Sequence, residues 1–296
     1  MDRRTFVQTA AGAAALAAGS RWLKAEPQGQ VSVTAGAADR PKKSIILQMI
    51  QPGDLPIEAK FALAKKCGFE GIEADPLFDR ADEIRAASEK TGLPAHSVIF
   101  GGWKPCLSSP DAAEREAAVE RLKQGLKFAK AIGADNLLLV PAVVNEKTRY
   151  VEAYDRSQEG IGKVLPLAEE MKVVIAVEEV WNNFLLSPLE FARYVDEFKS
   201  PYLQAYFDVG NIVKNGWPED WIRTLGKRIR RIHLKDFKRS TREWAPLLEG
   251  EVDWKEVRKA LGEVGFTSYL TAELEGGDET RLKDISQRID KIIAGS

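Results

Sequence analysis

The stretch VVIAVEEVWNNF, Val173 to Phe184, decides the fold. Its first five residues are apolar without a break, and two glutamates follow side by side. A run that is apolar at every position suits a strand buried on both faces, as in a parallel sheet covered by helices. Counting by two from Val174 through Ala176 puts Glu178 on the inner face and Glu179 toward the helical layer. Working outward, comparable runs appear at Ser44–Ile50, Gly71–Ala74, Ala95–Phe100, Asn136–Pro141, Leu203–Val209, Ile229–Phe237 and Tyr269–Leu274. Amphipathic stretches of helical length separate them: Ile57–Lys66, Ala81–Thr91, Ala112–Ile132, Tyr154–Met171, Pro188–Phe198, Trp217–Leu225 and Trp254–Val264, with Arg281–Ile293 closing the chain. Glycines stand where left-handed C-caps are wanted (Gly68, Gly92, Gly133, Gly265), and Asp111, Ser187 and Asp253 stand at helix starts. Eight such units predict an α/β fold, a single parallel eight-stranded (β/α)8 barrel. A doubly wound sheet is the alternative, but no strand is followed by a Gly-x-Gly-x-x-Gly loop.

Composition narrows the chemistry. The 296 residues carry 43 Lys+Arg against 44 Asp+Glu, a net charge of −1, which gives no electrostatic footprint for nucleic acid or an acidic membrane. Cys67 and Cys106 are too few for a disulfide scaffold or a cysteine-rich zinc site. With His96 and His233 the only histidines, any metal site must rest largely on carboxylates.

The N-terminus reads as an address. MDRRTFVQTAAGAAALAAG has the Arg3-Arg4-Thr5-Phe6 core of a twin-arginine export signal, followed by a stretch too short and too rich in Ala and Gly to span a membrane. The expected organisation is a cleavable signal over 1–25, a linker over 26–42 and the barrel over 43–296, close to the roughly 250 residues typical of such barrels. The expected location is periplasmic or extracytoplasmic, with no stable membrane anchor.

In a parallel barrel the reactive groups sit at the carboxyl ends of the strands. LQAYFDVGN ends its strand at Asp208, IRRIHLKDF puts Arg231, His233 and Lys235 on one face, and YLTAELEGG does so for Thr271, Glu273 and Glu275. Four successive strands therefore deliver Glu178, Asp208, His233 and Glu273 to one rim. Three carboxylates and an imidazole, with no compensating cluster of cations, repel one another unless a divalent ion neutralises them. This donor set suits Mn²⁺ or Mg²⁺ best, with Co²⁺, Fe²⁺ and Zn²⁺ as further candidates. The bland alternative is a structural ion network in which Lys235 pairs with the carboxylates.

The segments VEEVWN, YFDVGN, HLKDF and TAEL, in that order and spacing, resemble the xylose isomerase-like barrel superfamily, in its sugar (and sugar-phosphate) isomerase/epimerase branch. In motif the chain is most similar to L-xylulose/L-ribulose 5-phosphate 3-epimerases, although many relatives carry His at the position of Asn211. The resemblance covers essentially all of residues 43–296. It implies that Glu178, Asp208, His233 and Glu273 hold one metal ion, and that Glu178 and Glu273 are the acid/base pair on opposite faces of the substrate. PLLEGEVDW resembles the family's Gly-Glu-Gly-x-x-Asp segment but has Leu248 at the first glycine, which tells against a phosphorylated substrate.

The implied reaction removes a proton beside a carbonyl, with the resulting enediolate stabilised by a Lewis acid. Return of the proton on the opposite face gives epimerisation, and return to the neighbouring carbon gives isomerisation. Expected substrate contacts are His96, Asn211, Lys235, Trp103 and Trp181. The expected partner is a small-molecule carbohydrate, and the expected assembly is a homodimer or homotetramer. Two other readings use the same fold: a metal-dependent lyase or hydratase of 3-keto-glycosides, and a non-catalytic sugar-binding barrel. An endonuclease IV-like repair enzyme needs more histidines than this chain has.

Overall fold

The computed structural model describes residues 40–295. The twin-arginine segment and most of the linker lie outside the described residues. Eight parallel strands close a barrel: β1 (Lys42–Ile46), β2 (Gly71–Ala74), β3 (Ala95–Gly101), β4 (Asn136–Leu139), β5 (Val174–Glu178), β6 (Leu203–Asp208), β7 (Ile229–Leu234) and β10 (Tyr269–Ala272). Closure comes from β10, which pairs with β7 through Thr271↔His233 and with β1 through Ser44↔Thr271. The remaining strands, β8 (Asp236–Lys238) and β9 (Glu243–Ala245), form an antiparallel hairpin in the loop after β7.

The helices are α1 (Ile57–Lys66), α2 (Ala81–Thr91), α3 (Ala112–Ala131), α4 (Tyr150–Met171), α5 (Pro188–Asp196), α6 (Val209–Val213), α7 (Pro218–Leu225), α8 (Trp254–Glu263) and α9 (Glu279–Ala294). Their starts are set as the sequence suggests: Asp111, Ser187 and Asp253 accept from the N–H groups of Ala113, Glu190 and Glu256. The four C-cap glycines adopt positive φ. Among the described residues, no helix is long and apolar enough to cross a membrane.

Two cores divide the apolar residues. The larger fills the space between strands and helices. The smaller, Leu138, Val140, Ala176 and Tyr206, plugs the barrel's interior. Ala176 inside and Glu178 two residues on bear out the parity read from the sequence. The differences are local. Strand one starts at Lys42, a residue assigned to the linker, and gives way at Leu47 to a 3₁₀ turn. Helix α4 starts at Tyr150, a turn earlier than its apolar pattern suggests.

The run Ile229–Phe237 is broken at Lys235 because Asp236 turns the chain. Its buried carboxylate accepts from the N–H groups of Phe237 (2.9 Å), Leu248 (2.9 Å) and Val252 (3.3 Å) and from Trp254 Nε1 (2.9 Å). Those bonds wrap residues 246–254 around one charged group. A Cβ at Gly250 would fall on that carboxylate, so this position must be glycine. Leu248 takes φ of 71°, a left-handed conformation in which a non-glycine residue costs roughly 1–2 kcal/mol.

Replacing Asp236 with Asn sets an amide against donors that need an acceptor. Urea unfolding of Asp236→Asn should show a loss of about 2–4 kcal/mol, as for other buried charge-assisted networks broken at one partner. A midpoint matching the wild type would mean that the carboxylate does not hold this loop.

Candidate metal centre

The barrel brings Glu178, Asp208, His233 and Glu273 together, with one potential ligand atom from each all within 4.8 Å of one another. Each stands at or just beyond the end of its strand, on β5, β6, β7 and β10. Asp208 also caps α6: its Oδ1 accepts from Asn211 N–H at 2.8 Å, leaving Oδ2 for the cluster. The glycine of DVGN has a packing reason, because a Cβ at Gly210 would collide with Lys235.

His233 is fully buried, and its Nδ1 faces the carboxylates, at 2.9 Å from Glu178 Oε1, 2.7 Å from Glu273 Oε2 and 4.0 Å from Asp208 Oδ2. Lys235 reaches in from the rim, 2.9 Å from Glu273 Oε2 and 3.1 Å from Asp208 Oδ2. One compensating cation therefore stands inside the cluster, the Lys235 pairing that the sequence left as an alternative. Yet Asp208 Oδ2 and Glu273 Oε2 are buried and make no aligned hydrogen bond, despite their ion-pair distances. Two orphaned carboxylate oxygens beside an imidazole nitrogen fit a hard or borderline divalent ion.

The electrostatics agree. Burial pushes the Glu178 carboxyl up to about 7, against the pull of His233. Burial likewise raises Asp208 despite the nearby Lys235. Burial pushes Glu273 up too, but His233 and Lys235 outweigh it and hold this carboxyl well below its ordinary range. Burial tends to lower His233, and the surrounding Tyr206 and carboxylates drive it far up instead.

The sequence reading missed Glu73, on β2. It is fully buried and accepts from His233 Nε2 (2.7 Å), Ser97 Oγ (2.6 Å) and Tyr206 OH (3.0 Å). Its signal was the one used on the later strands, a lone carboxylate in an apolar strand. Glu179, assigned to the helical layer, is buried behind the site, and its Oε1 accepts from Asp208 N–H at 2.9 Å.

The expected substrate contacts divide. Lys235 touches the cluster. His96 is a correction: it is the second residue of β3, so it lies at the amino-terminal end of the barrel, away from the ligands. There its Nδ1 accepts from Arg231 Nε, its Nε2 bonds Ser44 Oγ at 2.7 Å, and its ring stacks on Tyr269 at 3.7 Å. Every polar atom of that ring is occupied by the core.

Asn211 holds the rim together. Its Nδ2 donates to the Glu179 carbonyl, and its own carbonyl accepts from Trp181 Nε1. Trp181 stacks on Trp244 of the hairpin at 4.9 Å, with Lys214 Nζ 4.2 Å from its ring centre. Trp103 remains half exposed and lines a groove of about 930 Å³ formed by the loops after β3 and β4.

The family model for the xylose isomerase-like TIM barrel matches residues 61–292. SgbU of Escherichia coli K12, provisionally named an L-ribulose-5-phosphate 3-epimerase, is 28% identical over 243 residues, covering 75% of this chain and 84% of that protein. Among solved structures, the apo form of E. coli YcjR, a 3-keto-D-glucoside 4-epimerase, superposes with a TM-score of 0.74 at 14% identity, covering 86% of this chain and 99% of the other. The D-allulose 3-epimerase of Methylomonas sp. bound to D-allulose gives 0.71 at 17% identity, over 86% and 96% of the two chains. At such identities the two structures speak for the fold alone. The family match spans most of the barrel and includes all four candidate ligands, and on that ground the chain belongs to the xylose isomerase-like TIM barrel family.

Proposed function

We propose that this protein is a divalent-metal-dependent sugar epimerase or isomerase that moves a proton on a carbon beside a carbonyl. The observation that carries the reading is the cluster of Glu178, Asp208, His233 and Glu273 at the strand ends, in which both glutamates converge on His233 Nδ1, at 2.9 and 2.7 Å. Glu178, Asp208, His233 and Glu273 would hold the ion, and the donor set favours Mn²⁺ or Mg²⁺. When bound, the ion supplies Lewis-acid stabilisation to the oxygens that gain charge.

The chain's own groups do the rest. One glutamate carboxylate removes the α-proton, and the other delivers a proton to the opposite face, inverting the carbon. Lys235 Nζ, between Asp208 and Glu273, is placed to offer an N–H to an oxygen that becomes negative. The candidate ligands occupy the contiguous half of the ring formed by β5, β6, β7 and β10, which leaves the rim over β1 to β4 for the rest of the substrate.

An unphosphorylated substrate fits the loop at Leu248. The N–H groups of residues 248, 249, 251 and 252 are bonded to Asp236, Pro246 and Phe237, so of residues 248–252 the Gly250 amide alone is left to meet a phosphate. Export through Arg3 and Arg4 agrees with such a substrate. Changing both arginines to Lys should leave the protein in the cytoplasmic fraction, and unchanged fractionation would remove this support. A lyase acting on 3-keto-glycosides is a second reading, favoured by a groove at the upper end of the roughly 300–1,000 Å³ found for small-molecule sites.

Two measurements test the proposal. Dialysis against a chelator should abolish turnover, and Mn²⁺ or Mg²⁺ should restore it. The double variant Asp208→Ala/His233→Ala should retain well under one metal per chain, and full occupancy would refute the ligand set. The second measurement follows ketoses and keto-glycosides in deuterated water, with metal content recorded alongside. Glu178→Gln and Glu273→Gln should each slow deuterium entry at the α-carbon by about 10²–10⁴-fold. Undiminished turnover in both variants would defeat the mechanism, and cleavage products without epimer would select the lyase.

A further inference from the structure

Glu73 is a carboxylate sealed inside a barrel that has no need of it for packing. Burying an ionised group costs several kcal/mol, and a hydrophobic residue of similar volume is often equally or more stabilising. What the structure shows in return is orientation. A carboxylate can only accept, so the 2.7 Å contact between Glu73 Oε2 and His233 Nε2 places a hydrogen on Nε2. Glu73 is itself held by two hydroxyls, one of them braced in turn. Ser97 Oγ donates to Oε1 at 2.6 Å, Asn136 Nδ2 donates in turn to Ser97 Oγ at 2.9 Å, and Tyr206 OH donates to Oε2 at 3.0 Å. The Tyr206 ring also lies 4.3 Å from the imidazole. These groups come from β2, β3, β4 and β6, so four strands fix one side chain that reaches across the lumen to β7.

We infer that Glu73 is a positioning residue for the metal centre: by holding His233 Nε2–H it keeps Nδ1 directed at Glu178, Asp208 and Glu273. The inference rests on the metal-site reading of the proposed function. A ligating histidine whose other nitrogen bonds a carboxylate is oriented and made more basic, and losing such a partner typically costs 10–100-fold in metal affinity. Ser97 and Asn136 belong to the same device at one remove, since they determine where the carboxylate points.

The test measures Mn²⁺ binding to the purified full-length chain by calorimetry, free of any assay of turnover. Wild type should bind one ion. Glu73→Gln, which keeps the shape but loses the charge, should raise the Kd at least 10-fold, while Tyr206→Phe, which removes one donor to the carboxylate but leaves the histidine contact, should raise it by a smaller factor. With only two histidines in the chain, nitrogen NMR of the Zn²⁺-loaded protein should show His233 protonated on Nε2 in wild type and in Tyr206→Phe. Glu73→Leu, if it folds, should lose that preference. A Glu73→Gln protein that binds Mn²⁺ within twofold of wild type overturns the positioning role, whatever its melting temperature. A wild-type chain that binds no divalent ion overturns the metal reading itself, so the two failures are distinguishable.

Discussion

Everything at the barrel's mouth depends on one imidazole surrounded by acids. His233 lies within 2.7–2.9 Å of Glu73, Glu178 and Glu273, and Asp208 stands 4.0 Å away. Two like charges 4 Å apart repel by about 4 kcal/mol even at an effective dielectric constant of about 20, so such a gathering persists only with cations or protons inside it. Lys235 and a protonated His233 provide that compensation within the chain, and a divalent ion provides it better because it also satisfies the two orphaned oxygens. The site is thus a concentration of acidic charge shaped by the fold. Stability alone does not explain it, since buried charges are costly and apolar residues would pack the same space.

The barrel serves this cluster tier by tier. At the amino-terminal end Arg231 joins Asp135, Ser268 and His96, closing the lumen with charged and polar groups that are fully paired. Above that tier, Glu73, Ser97, Asn136 and Tyr206 form a hydrogen-bonded layer beside the small apolar plug. The ligands form the next tier, and Asn211, Trp181 and Trp244 brace the rim outside them. Alternate residues of the same strands supply these tiers: Arg231, His233 and Lys235 on β7 and the residue beyond it, Ala176 and Glu178 on β5. A register slip of one residue would turn each of these groups into the helical layer.

Much of this was legible in the sequence because period two is a strong signal where one face is apolar. Strands four to six were clear from unbroken runs, and the four ligands from charged residues that interrupt such runs at their ends. Glu73 was missed because β2 lies outside the motifs between Val177 and Leu274, although its lone carboxylate in an apolar strand carried the same signal. His96 was misplaced along its strand: a histidine in an apolar run shows a polar partner must exist, but not at which end of the barrel. The hairpin after β7 escaped because its cause is a single carboxylate, Asp236, whose donors lie up to eighteen positions away.

The split between what could and could not be read has a structural cause. All four ligands come from β5, β6, β7 and β10, the carboxyl-terminal half of the chain, where the family motifs between Val177 and Leu274 lie. The loops after β1 to β4 cover the other half of the ring and carry no ligand. Loops that carry no candidate ligand can change without disturbing the cluster. Here the loops after β3 and β4 leave a broad groove lined by the half-exposed Trp103, by Lys104, Arg121 and Lys147, and by Asp111, Glu114 and Glu146. Under the proposed function, the acid/base pair on one half of the ring would set the reaction, and the loops on the other half would select the sugar.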